Sequence, residues 1–188
     1  LGNAPEGFEF SWQALSYYET LTNRRWQAGL YNLIGRQYME MNQLEWAERY
    51  FQQGFGQMEG LPINKTHADI HLNWCLLDTR NGDFERAQQH VHEAINIYRS
   101  FTAMDKLTKA LVIHARVHEK LKDYEGALAH LDQALQISEE NGLLYRKVRV
   151  LLAIGQITLE KSDYDLAFNR LQEALALSEQ LNMRHEGI

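Results

Sequence analysis

Residues 83–98 read DFERAQQHVHEAINIY, and the pattern returns at 123–138 as DYEGALAHLDQALQIS. It returns again at 163–178 as DYDLAFNRLQEALALS, and a looser version stands at 43–58 as QLEWAERYFQQGFGQM. Aligning these stretches superposes four alanines, Ala47, Ala87, Ala127 and Ala167, spaced 40 residues apart. Four positions after each comes Phe51, Val91, Leu131 or Leu171, and after seven comes Gly54, Ala94, Ala134 or Ala174. One position further on stand Phe55, Ile95, Leu135 and Leu175. Steps of four, seven and eight place side chains on one helical face and fit no strand. A unit of this size cannot bury its apolar face alone, so a fixed period in this range signals stacked repeats.

The segment before each such helix has its own apolar stripe. In the first full unit it is Leu30, Tyr31, Ile34, Gly35 and Tyr38. Each unit therefore holds a helix A and a helix B. The spacing predicts helices over 25–41, 44–59, 65–81, 84–100, 104–121, 124–140, 143–161 and 164–181. Asp83, Asp123 and Asp163 stand where a short acceptor caps the free N–H groups of helix B. Gly82 suits the left-handed residue that ends a helix A. GLPIN at 60–64 reads as a turn. The fold expected is all-α, a right-handed superhelical array of antiparallel helix pairs. One array spans 1–188, with full repeats at about 25–62, 63–102, 103–142 and 143–182. The period also runs backward, making 5–22 a helix B without its helix A, and forward, placing MRHEGI (183–188) where a further helix A starts. The chain reads as a fragment of a longer protein, with a capping helix at 5–22 as the alternative. On the fragment reading, Phe8, Trp12 and Leu15 are left partly uncovered or are covered by another copy.

Composition narrows the function. Apolar residues make up 45% of the 188, enough for a continuous core, and only Pro5 and Pro62 interrupt helix formation. A net charge of −6 speaks against a nucleic-acid surface, which needs clustered cations. No apolar run, VLLAI at 150–154 among the longest, approaches the roughly 18 residues of a membrane span. A single cysteine, Cys75, excludes an internal disulfide and fits a reducing, cytoplasmic setting.

The units resemble tetratricopeptide repeats. The family's large–small–aromatic run on helix A and Ala–Phe/Leu–Ala run on helix B match Tyr31, Ile34, Gly35, Tyr38, Ala47, Phe51 and Gly54. The second unit offers His71, Trp74, Cys75, Asp78, Ala87, Val91 and Ala94. The third offers Leu111, His114, Ala115, His118, Ala127, Leu131 and Ala134, and the fourth Leu151, Ile154, Gly155, Thr158, Ala167, Leu171 and Ala174. The units are longer than the family's usual length of about 34 residues, as in the extended repeats of peptide-pheromone receptors, kinesin light chains and bacterial transcription regulators. The resemblance implies a concave surface lined by helix A. On it would lie Asn32 and Arg36, Asp69 and Asn73, Lys109 and Arg116, and Arg149 and Gln156. Of these, Asn32, Arg36, Asn73, Lys109, Arg116, Arg149 and Gln156 are the candidate ligand-binding residues. The family's clamp for chaperone C-termini is matched by Asn73 and Lys109, but Ile113 replaces its arginine and Asn32 its first lysine.

Reactive side chains have structural explanations at this level. The pairs His67/His71 and His114/His118 are spaced as metal ligands on a helix would be, but Ala follows the first His in both. His114 and His118 fall on core-packing positions, Cys75 on the small-residue position, and Trp74 on the core stripe, while Trp46 lies at its edge. No nucleophile elbow or phosphate loop is present. No catalytic residue, metal or cofactor is therefore expected. The expected function is a non-enzymatic scaffold or sensor segment of a larger regulatory protein, holding a protein or peptide partner with an acidic or C-terminal segment. The alternative is self-assembly, a homo-oligomer formed through the terminal helices.

Overall fold

In the computed structural model, residues 6–20 and 22–181 are described, with side chains from residue 10 onward. Their helices are α1 (Glu6–Thr20), α2 (Arg24–Glu40), α3 (Leu44–Met58), α4 (Lys65–Asn81), α5 (Phe84–Ser100), α6 (Met104–Lys120), α7 (Tyr124–Glu140), α8 (Leu144–Glu160) and α9 (Tyr164–Gln180). No strand occurs among the described residues. Predicted boundaries agree to within two residues. MRHEGI lies outside the described residues, as does the side chain of Phe8.

The short turns repeat as faithfully as the helices. After each helix A the third turn residue donates its N–H back to a carbonyl five residues earlier: Gln43 to Tyr38, Asp83 to Asp78, Asp123 to His118 and Asp163 to Thr158, each at 2.9 Å. Such a bond closes only around a left-handed residue. Asn42, Gly82, Lys122 and Ser162 take that conformation at φ 58, 80, 60 and 63°. Asp123 and Asp163 then cap α7 and α9 by accepting from the Gly126 and Leu166 N–H groups at 3.0 and 3.2 Å. Asp83 accepts likewise from Arg86 at 3.1 Å, whereas Gln43 makes no side-chain cap.

Two compact units divide the chain, Leu1–Ile97 and Tyr98–Ile188, with the division inside α5. In the first, α1 packs on α2, α2 on α3, α3 on α4, and the two A helices α2 and α4 on each other. In the second, α6 pairs with α7, α7 packs on α8, α8 pairs with α9, and α6 meets α8. Within each unit the leading helix A, α2 or α6, therefore packs both on its hairpin mate and on the next helix A. The four aligned alanines are fully buried, as are Phe51, Val91 and Leu131. Position eight is less uniform: Ile95 is buried, but Phe55 and Leu175 are exposed.

For Leu15 the expectation needs correction. Leu15 is only 2% exposed and joins a core cluster with Ile34 and Tyr50. Trp12 is half-buried, its ring edge-on to Tyr50 at 5.4 Å. Helix α1 thus covers its inner face within the chain, and its exposed aromatics are Phe10 and Tyr17.

Close approach explains the small residue of helix A. A Cβ on Gly35 would stand 2.5 Å from Phe51 Cε1 and 3.1 Å from the Ala47 carbonyl oxygen. Gly35→Ala gains up to about 1 kcal/mol of helix propensity, while overpacking typically costs about 1–3 kcal/mol. Phe51 has no exposed side on which to retreat, so net destabilisation by about 1 kcal/mol is expected in urea titrations. An unchanged or raised midpoint would show that α2 and α3 are not held this closely.

Candidate functional site

On α6 the side chains of Leu107, Thr108, Ala110, Leu111, His114, Ala115 and Val117 are buried, leaving a solvent stripe through Asp105, Lys109 and Arg116. The stripe on α8 runs through Tyr145, Arg149 and Gln156 for the same helical reason. The helices α6 and α8 pack together within the second unit. Arg146 of α8 ties the two helices, donating from Nε and an Nη to the two Asp105 oxygens at 2.7 and 2.8 Å. That hydrogen bond is the main cause holding the Asp105 carboxyl below the usual carboxylate range. Asp105 is thus committed to Arg146, and Lys109, Arg116 and Arg149 give the surface a cationic excess.

The first unit places its candidates differently. Asn73 donates from Nδ2 to Asn32 Oδ1 at 2.8 Å, and the residues are 6% and 8% exposed. This buried amide pair joins α4 to α2, and Arg80 reinforces the junction by donating to the Met39 carbonyl. Arg36 is exposed and lies 3.8 Å from Glu40. The sequence positions fixed the helix but not which amides turn toward each other. The signal lay in their offset of 41 residues, one more than the period.

The histidines separate into distinct roles. His67 Nδ1 accepts from the Asn64 N–H at 3.1 Å, completing a capping box at the start of α4. His71 Nδ1 meets His90 Nδ1 at 3.0 Å, and Trp74 stacks on the His90 ring at 5.1 Å. Asp78, 1% exposed, lies 3.7 Å from His90 Nε2 and 3.5 Å from Arg86. Burial pushes its carboxyl up to about 6 against the pull of Arg86, and burial likewise pushes His90 down to about 4. In the second unit, His114 and His118 do share a face, but they meet His130 from α7, which the sequence reading did not include. Burial at Cys75 raises the thiol to about 12, so it packs as an inert group. Trp74 is half-buried and Trp46 exposed. No described helix is long and apolar enough to cross a membrane.

The tetratricopeptide-repeat family profile matches residues 106–180. Comparison with curated proteins yields no match. Among solved structures, aspartyl phosphate phosphatase F from Bacillus subtilis superposes with a TM-score of 0.82 at 18% identity, covering 93% of this chain and 46% of its own. A signal transduction ATPase with a tetratricopeptide-repeat sensor, from Pyrococcus horikoshii, gives 0.82 at 16% identity, covering 93% of this chain and 27% of its own. A Rap protein complexed with Competence and Sporulation Factor gives 0.75 at 16%, covering 81% of this chain and 43% of its own. The chain therefore spans less than half the length of these three structures. Residues 106–180 thus match the tetratricopeptide-repeat family, and the recurring turns and the likeness in fold to these structures show the same helical-repeat architecture over the described residues.

Proposed function

We propose that this chain is a non-catalytic binding segment of a larger regulatory protein, and that an acidic or C-terminal peptide lies along the helix-A surface. The observation that carries the reading is the exposed row Lys109, Arg116, Arg149 and Gln156 on adjoining helices, amid otherwise buried neighbours. Arginines that approach a carboxylate in pairs recognise it by charge-assisted hydrogen bonds, and the amide of Gln156 can serve a peptide backbone. The likeness to a sensor array and to a Rap protein in complex supports the assignment.

The test uses fluorescent peptides, with acidic, neutral and amidated C-termini, titrated against the protein. One acidic or free-carboxylate class is expected to bind and to weaken with added salt. Arg116→Ala should reduce its affinity about tenfold or more, since a hydrogen bond to a charged group is typically worth about 1.5–3 kcal/mol. Normal binding by Arg116→Ala and Arg149→Ala, with loss on a helix-B change such as Gln133→Arg, would overturn the reading.

A second reading, self-assembly, rests on exposed apolar side chains at both ends of the helix series. These are Phe10 and Tyr17 on α1, and Tyr164, Phe168 and Leu175 on α9. Light scattering decides it: a mass that rises with concentration, and falls for Phe168→Asp, supports association through these faces. A constant monomer mass excludes it.

A further inference from the structure

His114 and His118 project from one face of α6, and His130 reaches them from α7, its hairpin partner. One ring nitrogen of each lies within 4.8 Å of the others. The ring centroids are 4.8 Å apart for His114 and His118, 5.0 Å for His118 and His130, and 3.9 Å for His114 and His130. His114 is 1% exposed, while the other two are half-buried, so the cluster has a closed floor and an open side.

The next layer fixes a tautomer. His118 Nδ1 lies 2.8 Å from Asp123 Oδ2, and a carboxylate can only accept here, so Nδ1 carries the proton. Nε2 of His118 is then a lone-pair donor. A carboxylate behind a histidine in this way is the usual support of a metal-bound imidazole, fixing ring orientation and raising basicity. Asp123 is itself held by the Gly126 N–H at 3.0 Å. Gly126 also clears the space, because a Cβ there would stand 2.6 Å from His118 Nδ1.

This constellation belongs to one repeat. At the positions of His114, His118 and His130 the first repeat has Ile34, Tyr38 and Tyr50, and the second Trp74, Asp78 and His90. The fourth has Ile154, Thr158 and Arg170. Gly126 stands where its neighbours carry Arg86 and Leu166. No other repeat places three imidazoles at these positions or a glycine at the equivalent of 126, so the three imidazoles with their clearing glycine are a local departure.

We propose that His114, His118 and His130 bind a late first-row divalent metal ion, Zn²⁺ foremost, with Asp123 positioning His118 and the open side leaving room for water. Imidazole nitrogen suits this class of ion. Three Zn–N bonds of about 2.0–2.1 Å place tetrahedral ligand atoms about 3.4 Å apart, closer than the 4.8 Å within which the ring nitrogens now lie, so the ion would draw the rings together. The second unit, stapled by the ion, would gain stability in its presence.

The experiment titrates Zn²⁺, and Co²⁺ as a spectroscopic probe, into metal-stripped protein carrying no histidine tag. One equivalent is expected to bind, with the intense visible bands of four-coordinate Co²⁺ and a rise in melting temperature. His118→Gln and His130→Gln should each weaken Zn²⁺ at least a hundredfold, and Asp123→Asn about 10–100-fold. The double variant His71→Gln/His90→Gln should bind as wild type. Circular dichroism establishes that each variant is folded, and the two single histidine variants keep the test open should one fail. No stoichiometric binding, binding unaffected by His118→Gln and His130→Gln, or binding lost in the His71/His90 variant would each overturn the proposal.

Discussion

Phe51→Ala is expected to destabilise the protein by about 3–5 kcal/mol, the cost typical of deleting a buried aromatic ring. Phe51 is 0% exposed and joins a core cluster with Met39, Ala47 and Leu77, flanked by Tyr38, Leu44, Trp74 and Leu76. Those residues come from α2, α3 and α4, so the ring joins three helices of the first unit. No small movement can refill its place, because Gly35 presents no side chain toward it. Domains are commonly stable by only about 5–15 kcal/mol, and the change in urea midpoint should be large. Phe55→Ala is the control one position from the stripe's centre: at 38% exposure its loss should cost much less. Equal effects at the two positions would mean that the register of α3 is wrong.

Asp78→Asn is expected to stabilise the protein at neutral pH by about 1–3 kcal/mol, from a carboxyl raised by roughly two units at 1.36 kcal/mol each. The buried carboxyl titrates near 6 in the folded state against 3.8 ordinarily. Between those values the folded chain holds the proton more tightly than the unfolded one, so this group makes stability fall as pH rises. His90 acts with the opposite sign. Its folded value is near 4 against 6.5, so the unfolded chain binds the extra proton and stability rises with pH across that window. The surrounding charges are Arg86, Asp83 and Glu48, with His71 against the His90 ring. In the wild-type chain the two slopes largely oppose each other. Asp78→Asn should leave the rising slope alone between pH 4 and 6.5, and His90→Gln the falling one between pH 4 and 6. Denaturant melts at several pH values read both. Parallel profiles for the two variants would refute the assignment.

Particular residues show why the repeat was legible and the contacts less so. Helix ends follow from Asp123, Asp163 and Gly82, whose local chemistry acts within three or four residues and survives any tertiary arrangement. The left-handed turn at Lys122 and Ser162 was not legible from residue type, since neither favours it; only equivalence with Gly82 marks the position. His130 was missed because helical spacing pairs residues within one helix, whereas its partners sit on α6 and depend on how α7 is rotated about its axis. Equivalence between His90 and His130 was available, and His90 already faces Trp74, the counterpart of His114. Asn32 and Asn73 were assigned to an open surface because their mutual hydrogen bond depends on the approach of α2 to α4.

The uniform helix length has a consequence for recognition. The helices α2 and α4 through α9 each run 17 residues, or about 25 Å at 1.5 Å per residue. Relative to a period of about 34 residues, each helix is longer by three residues, about 4.5 Å. An extended peptide lying lengthwise along one such helix advances about 3.3 Å per residue and would be read over seven or eight positions. On the proposed function the added residues would work as a longer ruler: Lys109 and Arg116, seven residues apart, mark off about 10 Å of it. If the proposed acidic partner binds there, variants of it should be distinguished by the spacing between their anionic groups, and not by how many they carry.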